Sequence, residues 1–256
     1  MCSIKEPDYF CSDVFETKGA WYESLFVEKP DAKAVGDVSP CILATPLAAK
    51  RIHSYIPDAK LIFILRNPIE RLYSQFYYAL MRGIVSPNVD FSGFIRNVDE
   101  PFNAHYIEIG QYYSHLQKFR SFFSEAQILI LLFEDFKSDL HGVLANIYSY
   151  IGVDISHDVD TSKRHNETKY FQPSIAYRLA YTVGHPLKRI VGETFLDKTS
   201  NLRSTLRNKL TGLGHGTVVP NIPLMKPEDR LYLQDVYSDS NRKLASIIRP
   251  DISHWN

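Results

Sequence analysis

Chemistry concentrates in residues 61–76, Leu-Ile-Phe-Ile-Leu-Arg-Asn-Pro-Ile-Glu-Arg-Leu-Tyr-Ser-Gln-Phe. A short apolar run ends at Arg66, Asn67 is a favoured helix N-cap, and Pro68 is pre-set for a first helical turn. A strand that runs straight into a helix presents free backbone N–H groups and the positive end of the helix dipole, and both favour an anion. Arg66 adds a guanidinium fork at the strand tip. Asn67, Arg71 and Ser74 are spaced i, i+4 and i+7, so one helical stripe carries all three. Arginine, hydroxyl and helix terminus together suit a phosphate monoester. Pairing of Arg66 and Arg71 with nearby acids such as Glu70 explains the same residues equally well.

The elements that must position this stripe are legible as periodicity. Residues 60–65 and 127–133 are short continuous apolar runs, as expected of parallel strands covered on both faces. A shorter strand is predicted over 33–38. Helical patterns fall at 45–56, 68–82, 111–123 and 136–151. Strands alternating with helices imply right-handed crossovers and an α/β sheet. Strand signals stop after residue 152, and 173–183, 187–195, 200–210 and 227–248 look helical, with Pro173 and Pro227 as helix starters. Gly212, Gly214 and Gly216 read as a loop. Tyr73, Phe76, Tyr77 and Leu80 form a stripe at helical spacing, which is expected to pack in the core. The reading is one domain over 1–256, an α/β core followed by a helical C-terminal third.

Composition excludes several classes. The 256 residues balance 29 Lys+Arg against 29 Asp+Glu, and zero net charge argues against a general nucleic-acid binder. A chain that is 45% apolar and 23% charged is not disordered. The purely apolar run 128–133 is far too short to span a bilayer. Residues 1–30 lack the basic-then-apolar export pattern, so a cytoplasmic location is expected. Cys2, Cys11 and Cys41 have no zinc-finger spacing, so reduced cysteines and no metal are expected. Residues 160–210 hold ten Lys/Arg against four Asp/Glu, a local excess that suits an anionic ligand or the solvated faces of helices.

Leu65-Arg66-x-Pro68-x-x-Arg71-x-x-Ser74 resembles the 3′-phosphate-binding motif of the cytosolic and Golgi-type sulfotransferases, which use 3′-phosphoadenosine 5′-phosphosulfate (PAPS). The resemblance implies a P-loop-NTPase-like parallel sheet flanked by helices, with Arg66 and Ser74 on the 3′-phosphate and Arg71 as a further donor. It extends through Ile109-Gly110-x-Tyr112-x-x-x-Leu116, Phe133-Glu134-Asp135-Phe136 and Tyr148-x-x-Ile151-Gly152-Val153. The stretch from Pro227 to Leu244, with Trp255 at the end, resembles the final helix and tryptophan of bacterial and heparan-sulfate-type members. Lys5-Glu6-Pro7-Asp8-Tyr9-Phe10 is similar to the "KE-x-x-[FY]-F" segment of the glycan-modifying branch, which implies that Glu6 takes the acceptor hydroxyl's proton. Lys5 becomes a substrate-binding candidate. So does Asp37, because Gly36-Asp37-Val38-Ser39-Pro40 resembles the family's "GE" segment, with Val38 where some members have a lysine. A basic loop of the family implies a nucleotide contact for Arg164.

The resemblance implies sulfuryl transfer from PAPS to a hydroxyl of a glycan or other polar acceptor, leaving the 3′,5′-bisphosphate PAP. No metal, nucleic acid or membrane segment is expected. Acceptor choice is expected in loops such as 83–105. Family members place a "K-[ST]-G-T-[ST]" phosphate loop ahead of the "KE" segment, whereas the first glycine here is Gly19 and no Gly-x-x-x-x-Gly-Lys occurs. The expectation is therefore an N-terminally truncated domain without the first strand and phosphate loop, with unpaired sheet edges that favour a homo-oligomer. The alternative is a degenerate, non-catalytic module that binds PAP, anions or partners. A nucleotide kinase shares the sheet architecture, but the missing Walker lysine and magnesium residues count against it.

Overall fold

A computed structural model describes residues 2–26, 32–154, 170–173, 216–219 and 222–255. Its helices are α1 (Gly19–Ser24), α2 (Ala48–Tyr55), α3 (Pro68–Met81), α4 (Phe91–Arg96), α5 (Pro101–Glu108), α6 (Tyr112–Arg120), α7 (Asp135–Ser138), α8 (Leu140–Ile151) and α9 (Pro227–Ala245). Its strands are β1 (Leu61–Leu65), β2 (Ile128–Leu132), β3 (Tyr170–Pro173) and β4 (Gly216–Val219). The chain divides into two compact units built from separated segments.

Unit one comprises Met1–Pro68, Glu108–Thr161 and Leu233–Asn256. Strands β1 and β2 pair in parallel, in register from Leu61↔Ile128 to Leu65↔Leu132. The predicted apolar runs at 60–65 and 127–133 thus become neighbours. Helix α2 turns Ala48, Ala49 and Ile52 inward, and α6 buries Tyr112, Leu116 and Phe119, all at helical spacing. These side chains join Phe63, Leu65, Leu132, Leu244 and Trp255 in one core. Much of the tyrosine and phenylalanine content is spent here. Tyr9 stacks on Tyr22 with ring centroids 4.3 Å apart, and Phe63 meets Phe119 edge-on at 4.9 Å. Gly110 is required by this packing: a Cβ there would lie 2.7 Å from the fully buried Tyr237 ring.

Unit two comprises Ile69–Ile107 and Ser162–Tyr232. Tyr73, Phe76, Tyr77 and Leu80 of α3 are buried, as their spacing predicts. Phe76 packs against Phe91 at 5.4 Å and Phe94 at 5.2 Å. Asp90 caps α4, its Oδ1 accepting the Gly93 N–H at 2.9 Å, while Lys226 lies 3.4 Å from Oδ2. The Gly93 hydrogen bond chiefly, and then Lys226, hold the Asp90 carboxyl below its ordinary range. A lowered folded pKa gives stability that is present above the ordinary value of 3.8 and lost as pH falls through the folded value. Asp90→Ala is expected to lose about 1 kcal/mol at neutral pH by denaturant unfolding, and the gap from wild type to close in acid. A gap unchanged in acid would contradict a carboxylate cap.

Five sequence readings need correction. Residues 33–38 form no strand: Val35 and Val38 are exposed, so this segment has no apolar face to bury. Strands do not stop at 152, because β3 and β4 pair antiparallel, from Tyr170↔Val219 to Pro173↔Gly216. Each is four residues long, with Pro closing β3 and Gly opening β4, too short for a period-two signal. Pro173 closes β3 instead of opening a helix, and Gly216 opens β4 instead of lying in a loop. Residues 83–105 are not one loop, since α4 and most of α5 lie there. The helices predicted within 174–210, and Gly212 and Gly214, lie outside the described residues.

Candidate functional site

The parallel register continues beyond the strands of unit one. The Phe133 N–H donates to the Leu65 carbonyl at 2.7 Å, so Arg66 and the Phe133–Glu134 pair emerge side by side. The Arg66 guanidinium carbon lies 5.2 Å from the Phe133 ring centroid, and the Lys137 ammonium lies 5.1 Å from the same ring. The buried Tyr112 donates its hydroxyl to the Arg66 carbonyl at 3.0 Å. The next residue, Asn67, donates its backbone N–H to Glu134 Oε1 at 3.0 Å. Among the described residues neither the Arg66 guanidinium nor the Lys137 ammonium has a carboxylate partner. A ring contact orients a guanidinium but leaves its N–H donors unspent. Such donors at the carboxyl ends of parallel strands, where a helix begins, suit an anion.

The other stripe residues belong to unit two. Arg71 donates to Gln75 Oε1 and to the Tyr106 carbonyl, the latter at 2.7 Å, and its buried Nε has no partner among the described residues. Glu70, the acid considered above for Arg66 and Arg71, accepts from Arg230 at 2.5 Å. Ser74 is half-buried on α3, one turn beyond Arg71. Arg164 and nearly all of the basic 160–210 block lie outside the described residues.

The N-terminal candidates are gathered in unit one. Lys5 and Glu6 form an exposed pair at 3.5 Å. Tyr9 and Phe10 bury their rings in the core and anchor this segment. Between pair and anchor, Glu6 (φ 55°) and Asp8 (φ 51°) adopt left-handed backbone conformations. For residues other than glycine these cost about 1–3 kcal/mol each and persist only where the surroundings impose them. The surroundings include Ser39, whose Oγ accepts the Asp8 N–H at 3.3 Å, and Gly36, whose carbonyl accepts the Cys2 N–H at 3.2 Å. Asp37 accepts the Tyr22 hydroxyl at 2.6 Å. Burial raises the Asp8 carboxyl above its ordinary range, and the charges of Glu6 and Asp37 add to the shift. Burial likewise raises the Tyr22 phenol, with the Asp37 hydrogen bond second.

Cysteine pairing corrects the expectation of reduced thiols. Cys11 and Cys41 are disulfide-bonded with Cα atoms 6.3 Å apart, 30 residues apart in sequence, and Cys2 is free. Spacing along the chain carries no signal for such a pair, because tertiary folding alone brings it together. Asp8, Cys11 and Cys41 are the one group among the described residues close enough to share a metal. Bonded to each other, the two sulfurs are not thiolate ligands. Closing a loop of this length is expected to stabilise the fold by about 3–4 kcal/mol. Cys11→Ser should therefore lower the denaturation midpoint, and a midpoint equal to wild type would show that the bond constrains nothing.

Tyr112, Phe133, Glu134 and Lys137 are structural additions to the site. Sequence placed three of them in matching stretches, as landmarks without a role. Their only usable signal is position: Phe133 and Glu134 follow the second apolar run as Arg66 follows the first.

An arginine at a parallel-strand tip, without a carboxylate partner among the described residues, is an arrangement suited to a phosphate-like anion. The family comparison is more specific. The sulfotransferase domain profile matches residues 14–182, about two thirds of the chain, and the chain belongs to this family. It is 29% identical over 151 residues to the human heparan sulfate glucosamine 3-O-sulfotransferase 6, covering 58% of this chain and 43% of that protein. It is 24% identical over 223 residues to the bifunctional heparan sulfate N-deacetylase/N-sulfotransferase 1 of Caenorhabditis briggsae, covering 82% of this chain and 25% of that protein. The chain thus matches less than half the length of these relatives. The crystal structure of a sulfotransferase from Alicyclobacillus acidocaldarius superposes with a TM-score of 0.67 at 19% identity, over 99% of this chain and 87% of that one. That likeness shows the shared fold, a parallel sheet flanked by helices. No helix among the described residues is long and apolar enough to cross a membrane.

Proposed function

We propose that this chain binds PAPS and transfers its sulfuryl group to a hydroxyl of a carbohydrate acceptor, releasing PAP. The observation that carries the nucleotide part is the Arg66 guanidinium, oriented by Phe133 at a strand tip yet without a carboxylate partner among the described residues. Arg71, Arg96 and Arg230, by contrast, all have protein acceptors. In this reading Arg66 holds the 3′-phosphate, with Ser74 as a hydroxyl donor, and Arg164 is a further contact. Arg71 braces the Tyr106 backbone more than it faces the ligand. The carbohydrate part rests on the heparan sulfate relatives and on the resemblance of the Lys5–Glu6 segment.

PAPS supplies a sulfuryl group on a good leaving group, and its transfer runs through a loose transition state with charge spread over oxygen, as in phosphoryl transfer. The protein's part is then mostly positioning and charge. Glu6 accepts the proton of the acceptor hydroxyl as its oxygen bonds to sulfur, while Lys5 and Asp37 bind the acceptor. Calorimetry with PAP on the intact chain, followed by transfer from labelled PAPS to heparan-type oligosaccharides, tests both halves. Absence of PAP binding at millimolar ligand refutes the nucleotide site. PAP binding without transfer favours the alternative of a nucleotide-binding module.

A further inference from the structure

We infer that Glu134 is a positioning residue for the nucleotide site, acting through the corner that joins β1 to α3. The inference rests on the reading of Arg66 as the phosphate anchor and assigns a new residue to it. Arg66 sits on a two-residue corner, Arg66–Asn67, between the last strand residue, Leu65, and the first helical residue, Pro68. Pro68 has no N–H to donate, so the corner cannot be tied at that residue.

Contacts from unit one fix the corner on each side. Leu65 is held by the Phe133 N–H, the Arg66 carbonyl by the Tyr112 hydroxyl, and the Asn67 N–H by Glu134 Oε1. The guanidinium itself rests against Phe133, the neighbour of Glu134. Glu134 thus takes the backbone donor that the sequence offered to an anion. Its other oxygen, Oε2, is buried with no hydrogen-bond partner among the described residues. Leaving a carboxylate oxygen in that state is unfavourable. Local propensity does not explain a carboxylate here, beside the cation proposed to hold an anion. A fixed backbone acceptor for Asn67 does explain it. What the corner requires is an acceptor oxygen at Oε1, not a negative charge.

This separates two substitutions. Glu134→Gln keeps an amide oxygen able to accept the Asn67 N–H, so PAP affinity should stay within about threefold of wild type, or tighten as a like charge is removed. Glu134→Ala removes the acceptor and should weaken PAP binding about tenfold, the scale of one hydrogen bond. Calorimetry with PAP on the full chain, well below each variant's melting temperature, reads both. A lower melting temperature with wild-type affinity in Glu134→Ala would show a merely structural role and overturn the inference. Equal losses in Gln and Ala would overturn it too, since charge would then matter and the acceptor would not. Arg66→Ala is the control: if it binds PAP as wild type does, the anchor reading fails and this inference with it, whereas a loss in Arg66→Ala with wild-type affinity in Glu134→Ala overturns this inference alone. Should Glu134→Ala fail to fold, Tyr112→Phe carries the test. It deletes only the hydroxyl on the Arg66 carbonyl, and a loss of about threefold is expected. Wild-type affinity in Tyr112→Phe would then overturn the corner as a determinant of binding.

Discussion

Arg66→Ala is expected to weaken PAP binding about 100-fold or more, while the protein stays folded. The magnitude follows from removing a cation that meets a phosphate through charge-assisted hydrogen bonds, where losses of about 2–5 kcal/mol are usual. The folded state should tolerate the change. The side chain has no carboxylate partner among the described residues, and the corner beneath it is tied through backbone atoms and Glu134. What alanine loses among the described residues is one ring contact with Phe133, worth about 0.5–2 kcal/mol at a half-buried site. Arg66→Lys keeps the charge but not the planar fork, so its affinity should fall between the two. Calorimetry with PAP reads all three proteins. A 100-fold loss accompanied by an equal collapse in melting temperature would assign Arg66 to the fold instead of the ligand. Unchanged affinity would remove it from the site.

Glu6→Gln is expected to lower the rate of sulfuryl transfer by about 10²–10⁴, the usual contribution of a positioned general base, with PAP affinity unchanged. Glutamine matches glutamate in size and can hydrogen-bond the acceptor, but it cannot take a proton at neutral pH. The Lys5 pair is exposed, so losing it should leave stability within about 0.5 kcal/mol. Single-turnover transfer with saturating donor separates the chemical step from binding. A rate within a few-fold of wild type would transfer the base role elsewhere. Asp8 is the neighbour to test next, because its carboxyl already holds a proton more tightly than usual.

The two halves of this site differ in how much sequence reveals. Arg66 is legible because strand, corner and helix are consecutive, and a run of apolar residues followed by Arg-Asn-Pro announces all three. The buried face of α3 is legible for the same reason, since helical periodicity marks Tyr73, Phe76, Tyr77 and Leu80. Glu6 is legible only through resemblance. Its backbone is left-handed, and no local pattern of glycine or asparagine advertises that. Residues 83–105 show the opposite failure. The resemblance implied a loop there, yet Asp90 capping and burial of Phe91 and Phe94 stabilise a helix of six residues.

By itself, the sequence determined the β1–α3 and β2–α7 junctions, the central helices and the candidate cation Arg66. These depend on contacts within a few residues, where spacing and propensity act directly. Tertiary structure alone decided what holds that cation in place and what closes the N-terminal segment. Tyr112 reaches Arg66 across 46 positions, Glu134 reaches Asn67 across 67, and Cys11 meets Cys41 across 30. Hydrogen bonds and cross-links of that span have no period along the chain. They exist only once β1 and β2 lie in register and the N-terminal rings are packed in the core.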